Sequence, residues 1–142
     1  MLKMNARKQN VTMKLCGKPC MVYADRQLME ELLYNLCDNA IRYNNRGGSV
    51  TVTVDEKNGH VFLSIRDTGI GIPTEHQDRV FERFYRVDKA RSRQTGGSGL
   101  GLAIVKHAVS HHESRLNIES TLGKGTRFSF VIPERLIAKK IA

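Results

Sequence analysis

Residues 25–43 read Asp25-Arg-Gln-Leu-Met-Glu-Glu-Leu-Leu-Tyr-Asn-Leu-Cys-Asp-Asn-Ala-Ile-Arg-Tyr43. Met29, Leu33, Leu36 and Ala40 recur at spacings of four, three and four, the repeat of one face of an α-helix. Asp25 is a residue type that caps a helix start, and Asn44-Asn45-Arg46-Gly47-Gly48 supplies turn residues at the end. The spacing predicts one long helix from Asp25 to about Tyr43. A polar stripe of Glu31, Asn35, Asp38, Asn39, Arg42 and Tyr43 lies opposite its apolar face, with Asn35, Asn39 and Tyr43 four residues apart.

Outward from this helix the pattern changes to alternation. Val11–Leu15 and Cys20–Ala24 read as strands broken by Gly17-Lys18-Pro19, and residues 1–9 read as a frayed polar lead-in. Ser49–Asp55 and His60–Asp67 read as a hairpin closed through Asn58-Gly59, a strong signal for a two-residue turn. Residues 68–98 are rich in glycine and charge, with a helical patch at Glu75–Tyr85, and a connection of that length in a small domain is usually functional. Gly99–His112 reads as a second helix, and Arg115–Ser120 with Thr126–Ile132 as a closing hairpin, before Pro133 and a basic tail at 134–142. The order predicts a two-layer α/β sandwich: about five strands in a mixed, mostly antiparallel sheet on about three helices. The alternating pattern of a doubly wound fold is missing.

Length and composition narrow the class. The 142 residues suit one domain, and 40% hydrophobic with 26% charged residues is a globular balance. No run approaches ~18 apolar residues, and the first ten residues lack the apolar stretch of a secretory signal. The expectation is a cytoplasmic fragment without membrane contact. Lys and Arg total 23 against 14 Asp and Glu, a net charge of +9 that suits an anionic partner without choosing nucleotide over nucleic acid. The three cysteines argue against a disulfide framework. Cys16 and Cys20 lack partners to complete a zinc site, and Cys37 reads as a small core residue.

Three stretches carry candidate chemistry. The asparagines of the polar stripe are poor helix formers. They are either part of a solvated face or amide oxygens for Mg²⁺, which phosphates would largely neutralise. Asp67-Thr68-Gly69-Ile70-Gly71-Ile72-Pro73, at the end of a strand, is either a turn or a carboxylate that accepts from an exocyclic amino group such as adenine N6. Gly96-Gly97-Ser98-Gly99-Leu100-Gly101-Leu102 enters the second helix, as a hinge or as a phosphate cradle. It lacks the Gly-Lys-Ser/Thr of a P-loop. Phe81-Glu82-Arg83-Phe84-Tyr85-Arg86 fits a lid, a nucleic-acid surface or plain solvated charge.

In this order the motifs resemble the ATP-binding catalytic domain of sensor histidine kinases, in the superfamily that also holds gyrase, Hsp90 and MutL. Asn35–Ala40 resembles its N box, Asp67–Gly71 the G1 box, residues 81–84 the F box and residues 97–101 the G2 box, over about residues 10–133. Residues 84–107 and 115–139 are similar to phosphate-regulon sensor kinases of the PhoR type. The resemblance implies a Bergerat-type ATP-binding fold with an ATP lid at about 81–98, and ATP and Mg²⁺ as cofactors. It implies that Asn35 ligates Mg²⁺, Asn39 sits near the phosphates, Arg42 contacts phosphate, Tyr43 stacks on adenine and Asp67 reads its amino group. Arg86 matches the position that reaches the transferred phosphate, and with Asn35 it forms the implied catalytic pair. Gly69, Ile70, Gly71, Ile72, Tyr85, Gly97, Ser98, Gly99, Leu100, Gly101, Leu102 and Thr126 complete the implied nucleotide-binding set.

Two departures stand out. His112-Glu113-Ser114 replaces the Gly-Gly that often follows the second helix. Glu31, four residues before Asn35, is a salt-bridging surface residue or a support for weak ATP hydrolysis. None of His60, His76, His107, His111 and His112 begins a phosphoacceptor pattern, and apart from His60, beside the hairpin, all read as solvated helical positions. The resemblance therefore implies a catalytic domain that does not phosphorylate itself alone. Its partners are a phosphoacceptor histidine domain of a dimeric, membrane-anchored parent kinase, with residues 1–9 leading in from it, and a cognate response regulator. A lone serine kinase of the same fold and a basic nucleic-acid-binding module are the first two competing readings, beside an ATPase-type regulator or a regulatory binder that holds ATP or ADP without transfer. The first would label serine instead of histidine, and the second would bind oligonucleotides with steep salt dependence.

Overall fold

The computed structural model describes residues 6–8, 10–18, 20–82, 85 and 101–133. Five strands form one sheet in the order β1-β2-β3-β5-β4: β1 Thr12–Gly17, β2 Ser49–Lys57, β3 His60–Asp67, β4 Asn117–Thr121 and β5 Gly125–Ile132. The β1–β2 pair is parallel and the other three pairs are antiparallel. Helix α1 (Arg26–Arg42) and helix α2 (Gly101–His111) pack against each other. One core joins Leu32, Leu36 and Ile41 of α1 and Val105 and Val109 of α2 to Val50, Ile65, Phe128 and Phe130 of the sheet.

Local chemistry accounts for most of these elements. Asp25 caps α1, its side chain accepting from the Leu28 N–H at 3.1 Å. The β2–β3 turn places both Asn58 (φ 54°) and Gly59 (φ 77°) in the left-handed region, as a type I′ turn requires. Along β3 the inward positions are Val61, Leu63, Ile65 and Asp67, and along β5 they are Thr126, Phe128, Phe130 and Ile132. This period of two assigns one face to the helices and leaves Phe62, Arg66 and Arg127 on the other.

Four readings of the sequence need correction. Cys20–Ala24 is not a strand of the sheet. Parallel β1 and β2 need a crossover, and this segment carries the chain from the end of β1 to the cap of α1, with Met21 and Tyr23 exposed. Glu75–Tyr85 is not one helix: a single 3₁₀ turn at Thr74–His76 is followed by separate turns. Val80 and Phe81 both turn inward, with Phe81 edge-on to Phe128, so burial rather than a continuous helix holds this segment. The lead-in also packs rather than frays where described, since Ala6 is buried and its carbonyl accepts from the Val11 N–H at 2.8 Å.

His112 is the fourth correction. It is 4% exposed, not solvated. Its Nε2 accepts the Asp25 backbone N–H at 2.9 Å, so Nδ1 carries the hydrogen donated to the Ala108 carbonyl at 2.7 Å. One imidazole thus ties the start of α1 to the end of α2. Beside it Glu113 takes φ 59°, and the Ser114 N–H closes back on the Val109 carbonyl at 3.1 Å, a helix end that glycine would make without strain.

Candidate nucleotide site

The inward alternation of β3 ends on a carboxylate. Asp67 occupies the position after Val61, Leu63 and Ile65 and is 8% exposed. Its Oδ1 accepts from the Gly69 N–H at 2.8 Å and the Thr126 N–H at 3.2 Å. Oδ2 receives no hydrogen bond from any described residue. Burial pushes the Asp67 carboxyl above its usual range, and the two backbone donors oppose that rise without cancelling it. A desolvated acceptor held by one oxygen is suited to meet a donor on the other.

The loop after Asp67 is stitched on every side. The Thr68 N–H donates to Ser49 O at 3.2 Å and the Ile70 N–H to Tyr43 O at 3.1 Å, while Ile70 O accepts from the Gly123 N–H at 2.7 Å. The Ile72 N–H donates to Ser120 Oγ at 2.7 Å, and Gln77 Nε2 donates to Ile72 O at 2.9 Å and to Ser120 O at 3.2 Å. Gly71 has φ 72°, and a Cβ there would lie 2.2 Å from Thr121 O, so only glycine fits. Asn44, fully buried, donates from Nδ2 to Ser49 O at 2.9 Å and accepts at Oδ1 from the Asn45 N–H and the Thr68 hydroxyl. Asn44, Thr68, Gln77 and Ser120 were not candidates from the sequence. Their bonds join distant segments and leave no periodic trace.

The polar stripe of α1 is held differently. Asn35 Nδ2 donates to Glu31 O at 2.7 Å, and Arg42 Nε donates to Asp38 Oδ2 at 2.7 Å, each within its own helix. Asp38 Oδ1 is buried with no hydrogen-bond partner among the described residues. The Asn39 side chain has none either. Asn35 Oδ1 faces the start of α2, since a Cβ on Gly101 would lie 3.1 Å from it. Asn35 and Gly101, 66 positions apart, are therefore neighbours. Glu31 accepts from Gln27 at 3.4 Å instead of forming a salt bridge among the described residues.

The structure thus joins Tyr43, Asp67, Gly69, Ile70, Gly71, Ile72 and Thr126 into one bonded unit, and sets Asn35 against Gly101. Tyr85 is held within its own segment, its hydroxyl on His76 Nδ1 and Arg79 over its ring at 4.6 Å. Leu102 lies in the first turn of α2, packed on the core. Arg86, Gly97, Ser98, Gly99 and Leu100 lie outside the described residues. Among those described, no group of three or more His, Cys, Asp or Glu side chains could hold a metal ion. No helix of the described residues is long and apolar enough to cross a membrane.

Residues 24–136 match the family described as histidine kinase-, DNA gyrase B-, and HSP90-like ATPase. The sensor-like histidine kinase SenX3 of Mycolicibacterium smegmatis is 46% identical over 113 residues, 80% of this chain and 29% of that protein. The chain thus spans less than a third of such a relative's length. The mycobacterial sensor histidine kinase MprB superposes with a TM-score of 0.79 at 33% identity, over 93% of this chain and 90% of that one. The histidine kinase ThkA, solved in complex with the response regulator protein TrrA, superposes with a TM-score of 0.73 at 25% identity, over 94% of this chain and 37% of that one. Beside these, the likeness to the PhoR type is a minor one. On the family match, the identity and the shared fold together, the chain belongs to the histidine kinase-, DNA gyrase B- and HSP90-like ATPases, as a catalytic ATP-binding domain of the sensor histidine kinase type.

Proposed function

We propose that this domain holds ATP with Mg²⁺ and donates the γ-phosphate to a histidine on a separate dimerisation domain of its parent kinase, for relay to a response regulator. The observation that carries this reading is Asp67, a carboxylate in a core position with one oxygen fixed and the other open. An acceptor of that kind fits the exocyclic amino group of adenine, while guanine would set a carbonyl against it. The residues also fit Mg²⁺. Without a carboxylate cage among the described residues, an ion would take most of its oxygens from phosphates, with the uncharged amide oxygen of Asn35 as its protein ligand. Bound Mg²⁺ would neutralise the phosphates. The chain itself supplies Asn39 and Arg42 beside them and the glycine-rich entry to α2, with Gly101 apposed to Asn35, and the resemblance gives Arg86 the role of reaching the transferred group.

The complex of ThkA with TrrA supports a response regulator as the final acceptor. The PhoR-type likeness supports phosphate as the stimulus, and the lack of a spanning helix among the described residues fits a cytoplasmic position. Titration with ATP, ADP and GTP, with and without Mg²⁺, tests the reading. Selective binding of adenine nucleotides, strengthened by Mg²⁺ and lost in Asp67→Asn, is expected, whereas equal binding of GTP would overturn it. With radiolabelled ATP the chain alone stays unlabelled, and a phosphoacceptor domain added in trans becomes labelled on histidine. Label on one of the five histidines of this chain would refute the division of labour.

A further inference from the structure

The floor of the site contains a hydroxyl whose hydrogen bonds are all accounted for. Ser120 stands opposite Thr126 across the β4–β5 pair. Its Oγ lies 2.7 Å from the Ile72 N, 3.1 Å from the Gly125 carbonyl oxygen and 2.8 Å from Thr126 Oγ1. A hydroxyl has one hydrogen and two lone pairs. The Ile72 N–H can only donate and the Gly125 carbonyl can only accept, so the Ser120 hydrogen goes to Gly125 and one lone pair takes Ile72. The remaining lone pair then requires the Thr126 hydroxyl to donate to Ser120. Thr126, 6% exposed and bonded to Asp67 through its own N–H, keeps only lone pairs for anything else.

We propose that Ser120 is a specificity-determining positioning residue. By fixing the direction of the Thr126 hydroxyl hydrogen, it leaves the Asp67–Thr126 end of the site with acceptors alone, and so selects a 6-amino purine over a 6-oxo purine. The inference rests on the adenine reading above. Asp67 alone repels a carbonyl, but a freely rotating Thr126 hydroxyl would offer a 6-oxo base a donor and blunt that rejection. Ser120 never touches the base. It acts through Thr126, and through Ile72 it also holds the loop in register.

The test is the ratio of dissociation constants for ITP and ATP, measured on the full chain with Mg²⁺ by calorimetry. ITP differs from ATP in presenting a 6-oxo group in place of the 6-amino group. Ser120→Ala is expected to lower the ratio about fivefold, the scale of one hydrogen bond, with ITP gaining relative to ATP. Ser120→Thr, which keeps a hydroxyl, restores the wild-type ratio. A purely structural role would lower the melting temperature and weaken both nucleotides equally, and an unchanged ratio in Ser120→Ala overturns the proposal. Ser120→Cys, nearly isosteric and a weak acceptor, decides the matter if the alanine variant does not fold. Should the wild-type chain itself bind ITP as well as ATP, the adenine reading fails, and this proposal with it, without recourse to any variant.

Discussion

The loop Asp67–Ile72 and the polar stripe of α1 belong to one candidate site and are built in opposite ways. Apart from Asp67–Gly69 and the bond from Gln77, five positions on from Ile72, the hydrogen bonds that fix the loop reach other segments, among them Tyr43, Asn44, Asn45, Ser49, Ser120, Gly123 and Thr126. Among the described residues, the side chains of Asn35 and Arg42 are tied only to residues four positions away on their own helix. The first region is set by the fold before any ligand arrives, while the second can exchange its local bonds for a ligand at small cost. A rigid end suits a base, whose shape is constant. An adjustable end suits phosphates and a cation, whose arrangement changes when the terminal phosphoryl group leaves.

The sharpest way to break this contrast is Asn44→Ala. It removes the fully buried amide that joins Ser49, Asn45 and Thr68, and should cost about 3 kcal/mol in denaturant unfolding. A loss under about 1 kcal/mol would mean the loop does not depend on these bonds.

Asp67→Asn separates stability from function. The amide oxygen can still accept from Gly69 and Thr126, but its NH₂ would face another donor on adenine, so ATP affinity should fall about 30-fold or more. Ligand-free stability should move the other way. The Asp67 carboxyl is raised by burial, so the folded chain holds that proton to higher pH than the unfolded chain. Its stabilising contribution is complete below the ordinary carboxylate range and is lost as pH rises through the raised value. The asparagine variant lacks that loss and should melt above wild type at neutral pH, with the gap closing in acid. A gap that widens in acid would contradict the burial argument.

Asn35→Ala addresses the adjustable end. ATP affinity should drop about tenfold with Mg²⁺ present and little in EDTA, because only the cation contact is removed. An equal loss in both conditions would assign Asn35 to the nucleotide instead of the ion. The smallest effect belongs to Arg42→Gln. Its partly exposed pair with Asp38 should contribute under about 0.5 kcal/mol to stability, so any larger change would show that α1 needs the pair to fold.

How much of this was legible in the sequence follows the same divide. The cap at Asp25, the α1 face, the Asn58-Gly59 turn and the inward alternation of β3 and β5 are local or periodic, and each leaves a mark in the residue order. The candidate residues of α1 and of the Asp67 loop were found because helix spacing and a glycine cluster displayed them. Asn44, Gln77 and Ser120 were missed, since a lone polar residue beside a turn looks solvated until its partner 5, 43 or 48 positions away is known. His112 was misread for the same reason: its partner, Asp25, is 87 positions away. The strand assigned to Cys20–Ala24 failed because alternation records half-burial, which a crossover segment also has.

The buried imidazole at the far end of α2 has a mechanical consequence. A helix of 11 residues is about 16 Å long. Anchored at His112 and, among the described residues, without any such bond at Gly101, α2 has the form of a lever with its fulcrum remote from the nucleotide. A tilt of about 5° there would sweep the Gly101 tip through roughly 1.4 Å over that length, enough to make or break its approach to Asn35. Small rotations at one histidine and the gap between two motifs are thus a single coordinate.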